Sequence, residues 1–177
     1  VKERADKVKD KPKTFVWRAA GVMDCCGSWN NSNIAQLVNE AGGENVADGI
    51  IPGEVGAVTP EKVLEADPDM VIATGGDWSE KKDDEGYGIG EDEAEASIAK
   101  LPSNQPGFEN LRAVKEHKLH GMWHQFYNSP FNYLALLQIA KWINPEAYED
   151  MDVDKEWMQA QEKYSPVAGE GTFFSTN

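Results

Sequence analysis

The sequence predicts an α/β fold, a three-layer α/β/α lobe around a mainly parallel, Rossmann-like sheet. Three short apolar runs carry that reading: Thr14-Phe15-Val16-Trp17, Met70-Val71-Ile72-Ala73 and Lys118-Leu119-His120-Gly121-Met122-Trp123. Each is too short for a helix and reads as a buried strand. Between them lie segments with helix start and stop signals. Strands alternating with helices in this way build a sheet covered on both faces.

Taken in order, residues 1–10 alternate charge at helical spacing and offer only Val1, Ala5 and Val8 as an apolar stripe. A helix with so little to bury reads as the end of a longer one, closed by Pro12. The first strand ends near Gly21 and leads into the loop MDCCGSWNN. Ser32 or Asn33 caps a helix through Ile34-Ala35-Gln36-Leu37-Val38, and Gly42-Gly43 ends it as left-handed residues do. Thr59 caps the next helix with Pro60 at its first position, and Asp67-Pro68-Asp69 breaks it after Ala66. The second strand ends in Thr74-Gly75-Gly76. Residues 79–97 form an acidic tract poor in large apolar residues, expected to be a solvated loop, with a helix resuming near Glu91 and running to Lys100. Pro102 and Pro106 precede a short helix containing Leu111 and Val114. From Pro130 to Ile143 only Asn132, Gln138 and Lys141 are strongly polar, so this helix is expected to be buried on most faces. A last helix lies near 154–164, followed by a GTFF tail.

A chain of 177 residues is one domain that can bury its own core. Its 17 basic and 31 acidic residues give a net charge of −14, which argues against nucleic acid and anionic membrane surfaces as general partners. No apolar run approaches the roughly 18–20 residues of a membrane span. The opening residues, VKERADKVKDKPK, lack the apolar stretch of a signal peptide. Cys25 and Cys26 are adjacent. A bridge between neighbours closes a strained eight-membered ring far from ordinary disulfide geometry, and the sequence leaves the redox state of the pair open.

Right-handed crossovers put the C-terminal ends of all parallel strands on one edge, where ligands bind in such sheets. The loops at that edge are 18–31, 74–80 and 124–130. The first offers Arg18, Asp24, Cys25, Cys26, Ser28 and Trp29. There Trp29 can pack against a ring-bearing ligand, Arg18 can pair with carboxylate or phosphate-like groups, and free thiolates would suit a soft metal. The plainer alternative is a packed tryptophan with two inert cysteines. In the second loop, the glycines after Thr74 would let backbone N–H groups approach a ligand, with Asp77 and Trp78 beside them, or simply make a turn. His124 follows the third strand and points to the same edge, with Gln125, Tyr127 and Asn128 as neighbours. His117 and His120 belong near the other end of that strand, which argues against a bare zinc or manganese site. The GYGIG run lacks the spacing of a dinucleotide loop, and its acidic surroundings lack a calcium-loop pattern. The candidate ligand-binding set is therefore Arg18, Trp29, Trp78, His124 and Tyr127, with no catalytic or metal-ligating set assigned.

Four segments carry a family resemblance. LVNEAGGENVADG (37–49), VTPEKVLEADPDMVIATGG (58–76), PGFENLRAVKEHKLHGM (106–122) and HQFYNSPFNYLALLQIAKWINPEAY (124–148) resemble, in order, elements of the ABC-transporter substrate-binding proteins for iron–siderophore complexes, haem and cobalamin. The match is to the second of that family's two lobes. It implies that residues 1–12 are the end of the helix joining the lobes and that 13–177 form the C-terminal lobe. It further implies capture of a metal chelate, an iron–siderophore or haem-type complex, no resident cofactor, and delivery to a membrane permease. The protein would be periplasmic, or extracellular and anchored through a lipoprotein N-terminus, and this lobe would hold half of a site shared with an N-terminal lobe. Glu61 matches the glutamate that pairs with permease arginines; the alternative is a carboxylate serving its own helix N-terminus. The acidic tract is longer than the family's usual loop. Molybdate, tungstate and cobalamin stay open as ligands. Two other classes compete: an α/β metalloenzyme domain using Cys25, Cys26 or His124, which lacks a compact Cys–His motif, and a protein–protein module using the acidic surface.

Overall fold

Strand β1 (Lys13–Trp17) lies inside a five-stranded sheet. It pairs in parallel with β3 (Glu44–Asn45) on one side and with β5 (Met70–Gly75) on the other. Next comes β7 (Leu119–Trp123), parallel to β5, and then β9 (Phe174–Thr176), antiparallel to β7. The computed structural model describes residues 1–23, 25–76, 78, 84–167 and 169–177.

Side chains alternate across each strand, and both faces are apolar, so both are covered. Val16, Met70, Ile72 and Met122 pack with α2 (Asn33–Glu40), α6 (Asn132–Ile143) and α7 (Val153–Tyr164). Phe15, Trp17, Val71, Ala73 and Leu119 pack on the other face, with Val63 of α3 (Pro60–Ala66), Ile98 of α4 (Glu91–Lys100) and Ala113 of α5 (Arg112–Lys115). These are the three layers expected. The Thr59 cap is also as expected, its side chain accepting from the Lys62 N–H, with Pro60 at the first helical position. No helix among the described residues is long and apolar enough to cross a membrane.

Several elements differ from the sequence reading. The N-terminal helix α1 covers only Lys2–Ala5. Arg4 holds it down, with a forked ion pair to Asp150, a bond to the Ala147 carbonyl and its guanidinium over the Tyr148 ring. Ser32 precedes α2 but spends its hydroxyl on the Glu54 carbonyl, and only Gly42 of the glycine pair has positive φ, +97°. The loop after Cys26 contains a strand, β2 (Gly27–Trp29), antiparallel to β4 (Val55–Ala57). The last residue of the GTFF run, Phe174, begins the edge strand β9. A two-residue strand β6 (Gly86–Tyr87), within GYGIG, pairs with β8 (Gly171–Thr172).

The acidic tract is not wholly solvated either. Residues 79–83 lie outside the described residues, but Glu85 is buried at 1% exposure. Its Oε1 accepts from the Ser175 hydroxyl of β9, and the carboxylate rests on Gly121 of β7, where any Cβ would collide with it.

Candidate functional site

The five candidate residues come from three loops at one sheet edge and meet there. Arg18 follows β1, Trp29 ends β2, Trp78 follows β5, and His124 and Tyr127 follow β7. The His124 ring stacks on Trp29 at 5.7 Å between centroids and 27° between planes. Trp78 meets the same imidazole edge-on at 4.9 Å, and Tyr127 lies 5.0 Å away. Tyr127 also approaches Trp29 at 6.2 Å, and the Arg18 guanidinium sits 5.9 Å from the Trp29 ring centroid. The result is a wall of four rings with one cation at its side. It is open: Trp78 and Tyr127 are 40% and 37% exposed.

Each member is held by local chemistry. The Arg18 N–H donates to the Gly27 carbonyl at 2.8 Å, and a Cβ at Gly27 would meet the Arg18 carbonyl oxygen at 3.3 Å. Trp29 is fixed through its carbonyl, which accepts from the Asn45 side chain at 3.0 Å. Asn45 also donates to Asp48, and Asp48 accepts from Asn39 and from the Asn31 N–H. These residues were not singled out from the sequence. The signal was only the Asn-rich composition around the loop, since these bonds within residues 29–48 follow no motif spacing. Gly76 has a different use from the one expected: the Trp78 indole lies against it, 2.9 Å from where a Cβ would stand. Its missing side chain seats a ring.

His124 is anchored through Nδ1, 2.8 Å from the Thr74 hydroxyl, which itself accepts from the Ala19 N–H at 2.9 Å. If Nδ1 carried the proton, the buried Thr74 hydroxyl hydrogen would have no acceptor among the described residues. The hydrogen-bond pattern therefore places the proton on Nε2, away from Thr74. Burial, and then the positive charge of Arg18, pushes the imidazole down to about 4. A neutral N–H donor thus stands beside a permanent cation. Arg18 has no ion pair among the described residues; its terminal nitrogen reaches only the Met23 sulfur at 3.2 Å, and its Nε is buried without a partner. The wall is built of donors and rings and is suited to an anionic, ring-bearing ligand.

The state of the cysteines, open from the sequence, is defined in the structure. Cys25 and Cys26 are joined to each other by a disulfide across a cis peptide bond, with their Cα atoms 3.0 Å apart. Neither offers a thiolate, so the alternative that paired them with His124 has no free thiol. Ser28 is fully buried. His120, four residues before His124, has a separate setting: its Nδ1 lies 2.9 Å from the Thr176 hydroxyl, and its ring stacks on Trp142 at 4.3 Å. Asp24 and Asp77 lie outside the described residues.

Glu61 is exposed in the first turn of α3, as expected. Its carboxylate accepts first from its own backbone N–H and then from Thr59, and both bonds hold it below the usual carboxylate range. Because α3 runs back to the start of β5, its N-terminus lies on the same side of the sheet as the ring wall.

The structure superposes on half of several solved binding proteins. It matches the TroA-like periplasmic binding protein FepB from Veillonella parvula with a TM-score of 0.91 at 23% identity, covering 98% of this chain and 51% of that one. It matches the molybdate-bound periplasmic binding protein MolA from Haemophilus influenzae with a TM-score of 0.68 at 20% identity, over 96% of this chain and 47% of that one. The haem complex of IsdE from S. aureus gives 0.59 at 18% identity, over 81% and 51%. The chain therefore spans about half the length of each of these proteins. No protein-family model matches the sequence, and no curated protein matches it. The chain has the fold of one lobe of a TroA-like periplasmic binding protein.

Proposed function

We propose that this chain is one wall of the ligand cleft in a substrate-binding protein of an ABC importer. It captures an anionic metal chelate, of the iron–siderophore or haem type, outside the cytoplasmic membrane and delivers it to a membrane permease. The observation that carries this reading is the Arg18 guanidinium, without an ion pair among the described residues, beside the neutral His124 donor, flanked by Trp29 and Trp78. An anion there gains charge-assisted hydrogen bonds, and a chelate's organic shell gains ring contacts. The solved relatives are consistent with this, since they include a haem complex and a molybdate complex. A bare oxyanion would use the donors and leave the rings idle, so the ring wall favours the larger chelate over molybdate. Delivery is assigned to the face carrying Glu61, with anchoring through a lipoprotein N-terminus and a second lobe as parts of the same reading.

Equilibrium dialysis of the 177-residue chain against ferric citrate, haemin and sodium molybdate tests it. We expect retention of an iron complex that falls about tenfold or more in Arg18→Gln, the loss of one charged hydrogen bond. Equal retention by Arg18→Gln, or retention of molybdate alone, would refute the reading.

A further inference from the structure

A groove of about 340 Å³ runs between α2 and α6 and opens beside Tyr127. Its polar lining consists of Asn33, Gln36, Glu40 and Asn132, with the exposed phenols of Tyr127 and Tyr133. Leu37 and Leu136, half-buried between the helices, supply an apolar surface. No Lys, Arg or His is among its lining residues. The Gln36 amide donates to the Glu40 carboxylate at 2.8 Å, which orders both side chains and leaves the remaining oxygens as acceptors.

This chemistry differs from that of the ring wall. An anion needs donors only and would meet Glu40. Hydroxyl groups both donate and accept, and so do the amides of Asn33, Gln36 and Asn132. The C–H face of a saturated ring fits the leucines and phenols, whose apolar bodies carry a polar tip. Tyr127 borders both the groove and the wall, so one ligand can reach both.

We infer that the groove is a second binding site, for a neutral polyhydroxylated group of the hexose kind, borne by the same ligand whose anionic part meets Arg18. The inference rests on the chelate reading of the ring wall, and it names a substrate class, a metal chelate with a hydroxylated neutral arm.

Amide NMR spectra of the chain, with D-glucose raised to about 50 mM, test it, because that concentration reveals a millimolar site. We expect shifts at the amides of Asn33, Gln36, Asn132 and Tyr133. They should fall about fivefold in Gln36→Ala and in Tyr133→Ala, both exposed positions, and persist in Arg18→Gln. No shift at these amides, or shifts equal in the Gln36→Ala chain, would overturn the inference. Ethylammonium chloride moving the same amides more than glucose does would also overturn it, by making Glu40 a cation site. Ferric citrate binding is read separately through Arg18→Gln, so loss of the chelate reading is distinguishable from loss of the groove.

Discussion

Thr74 Oγ1 and His124 Nδ1 stand 2.8 Å apart, joining the ends of β5 and β7 at the middle of the ring wall. The bond orients the imidazole, and burial with Arg18 keeps it neutral. We expect the His124 proton signals to titrate near pH 4, and the midpoint to rise in Arg18→Gln, which removes the second cause. A midpoint at the ordinary value of about 6.5 would contradict the environment described here. The sign for stability follows. The folded chain resists a proton that the unfolded chain accepts, so His124 costs folding free energy progressively as pH falls from about 6.5 toward 4, and nothing above that range. His120, buried and pushed down to about 3, adds to the same loss.

Glu85 works in the opposite direction. Burial pushes its carboxyl up to about 8, with the Asp84 charge adding to it and the Ser175 bond opposing it. The folded chain holds a proton that the unfolded chain releases, so stability is full in acid and declines as pH rises from about 4.5 through 8. Glu85→Gln should therefore match the parent near pH 4 and exceed it in melting temperature above pH 8. A variant that loses stability equally at both pH values would show that the ionised form belongs in the site.

Gly121 leaves the space that Glu85 occupies, since an added Cβ would collide with both Glu85 Oε1 and Ser175 Oγ. Gly121→Ala should cost about 1–3 kcal/mol by overpacking. Urea unfolding of the double variant Gly121→Ala, Glu85→Ala should recover part of that cost; no recovery would place the strain elsewhere.

Glu61 is exposed and already bonded within its own helix turn. If it docks on a permease cation, Glu61→Gln in the transporting protein should slow uptake and leave ligand affinity nearly unchanged, because an interface charge steers association. Weakened ligand binding with normal uptake would place Glu61 in the site. No change in either would leave it serving its helix alone.

The layers were legible because they depend on local signals. Capped helices and short apolar runs carry their own periodicity, and Thr59-Pro60 announced α3 outright. The edge strand β9 was not legible: Phe174–Thr176 is too short to signal a strand, and its partner β7 lies some fifty residues away in the chain. Glu85 was missed for a related reason. An acid among acids reads as solvated until a distant glycine and serine make room for it. The convergence of Arg18, Trp78, His124 and Tyr127 followed from strand order, since residues just beyond parallel strands share an edge, and Trp29 joins them from the antiparallel strand β2. What held them in place, Asn45 with the Trp29 carbonyl and Thr74 with His124, depends on contacts between separate elements. The state of the adjacent cysteines was not legible, because ordinary disulfide geometry does not decide the case of neighbours.

The central claim is that an anionic chelate meets the ring wall and not another surface. A cavity of about 460 Å³ lined by Met158, Gln161, Val167 and Gly169 offers a direct competitor, and it lies beside α7. Gallium(III) citrate, a diamagnetic stand-in for ferric citrate, can be titrated into the labelled chain while side-chain signals are followed. We expect shifts centred on Arg18, Trp29, Trp78, Tyr127 and His124, with binding no tighter than about micromolar, because one open wall leaves the ligand exposed to water. Shifts centred on Met158 and Gln161, or nanomolar binding that ignores Arg18→Gln, would contradict the account.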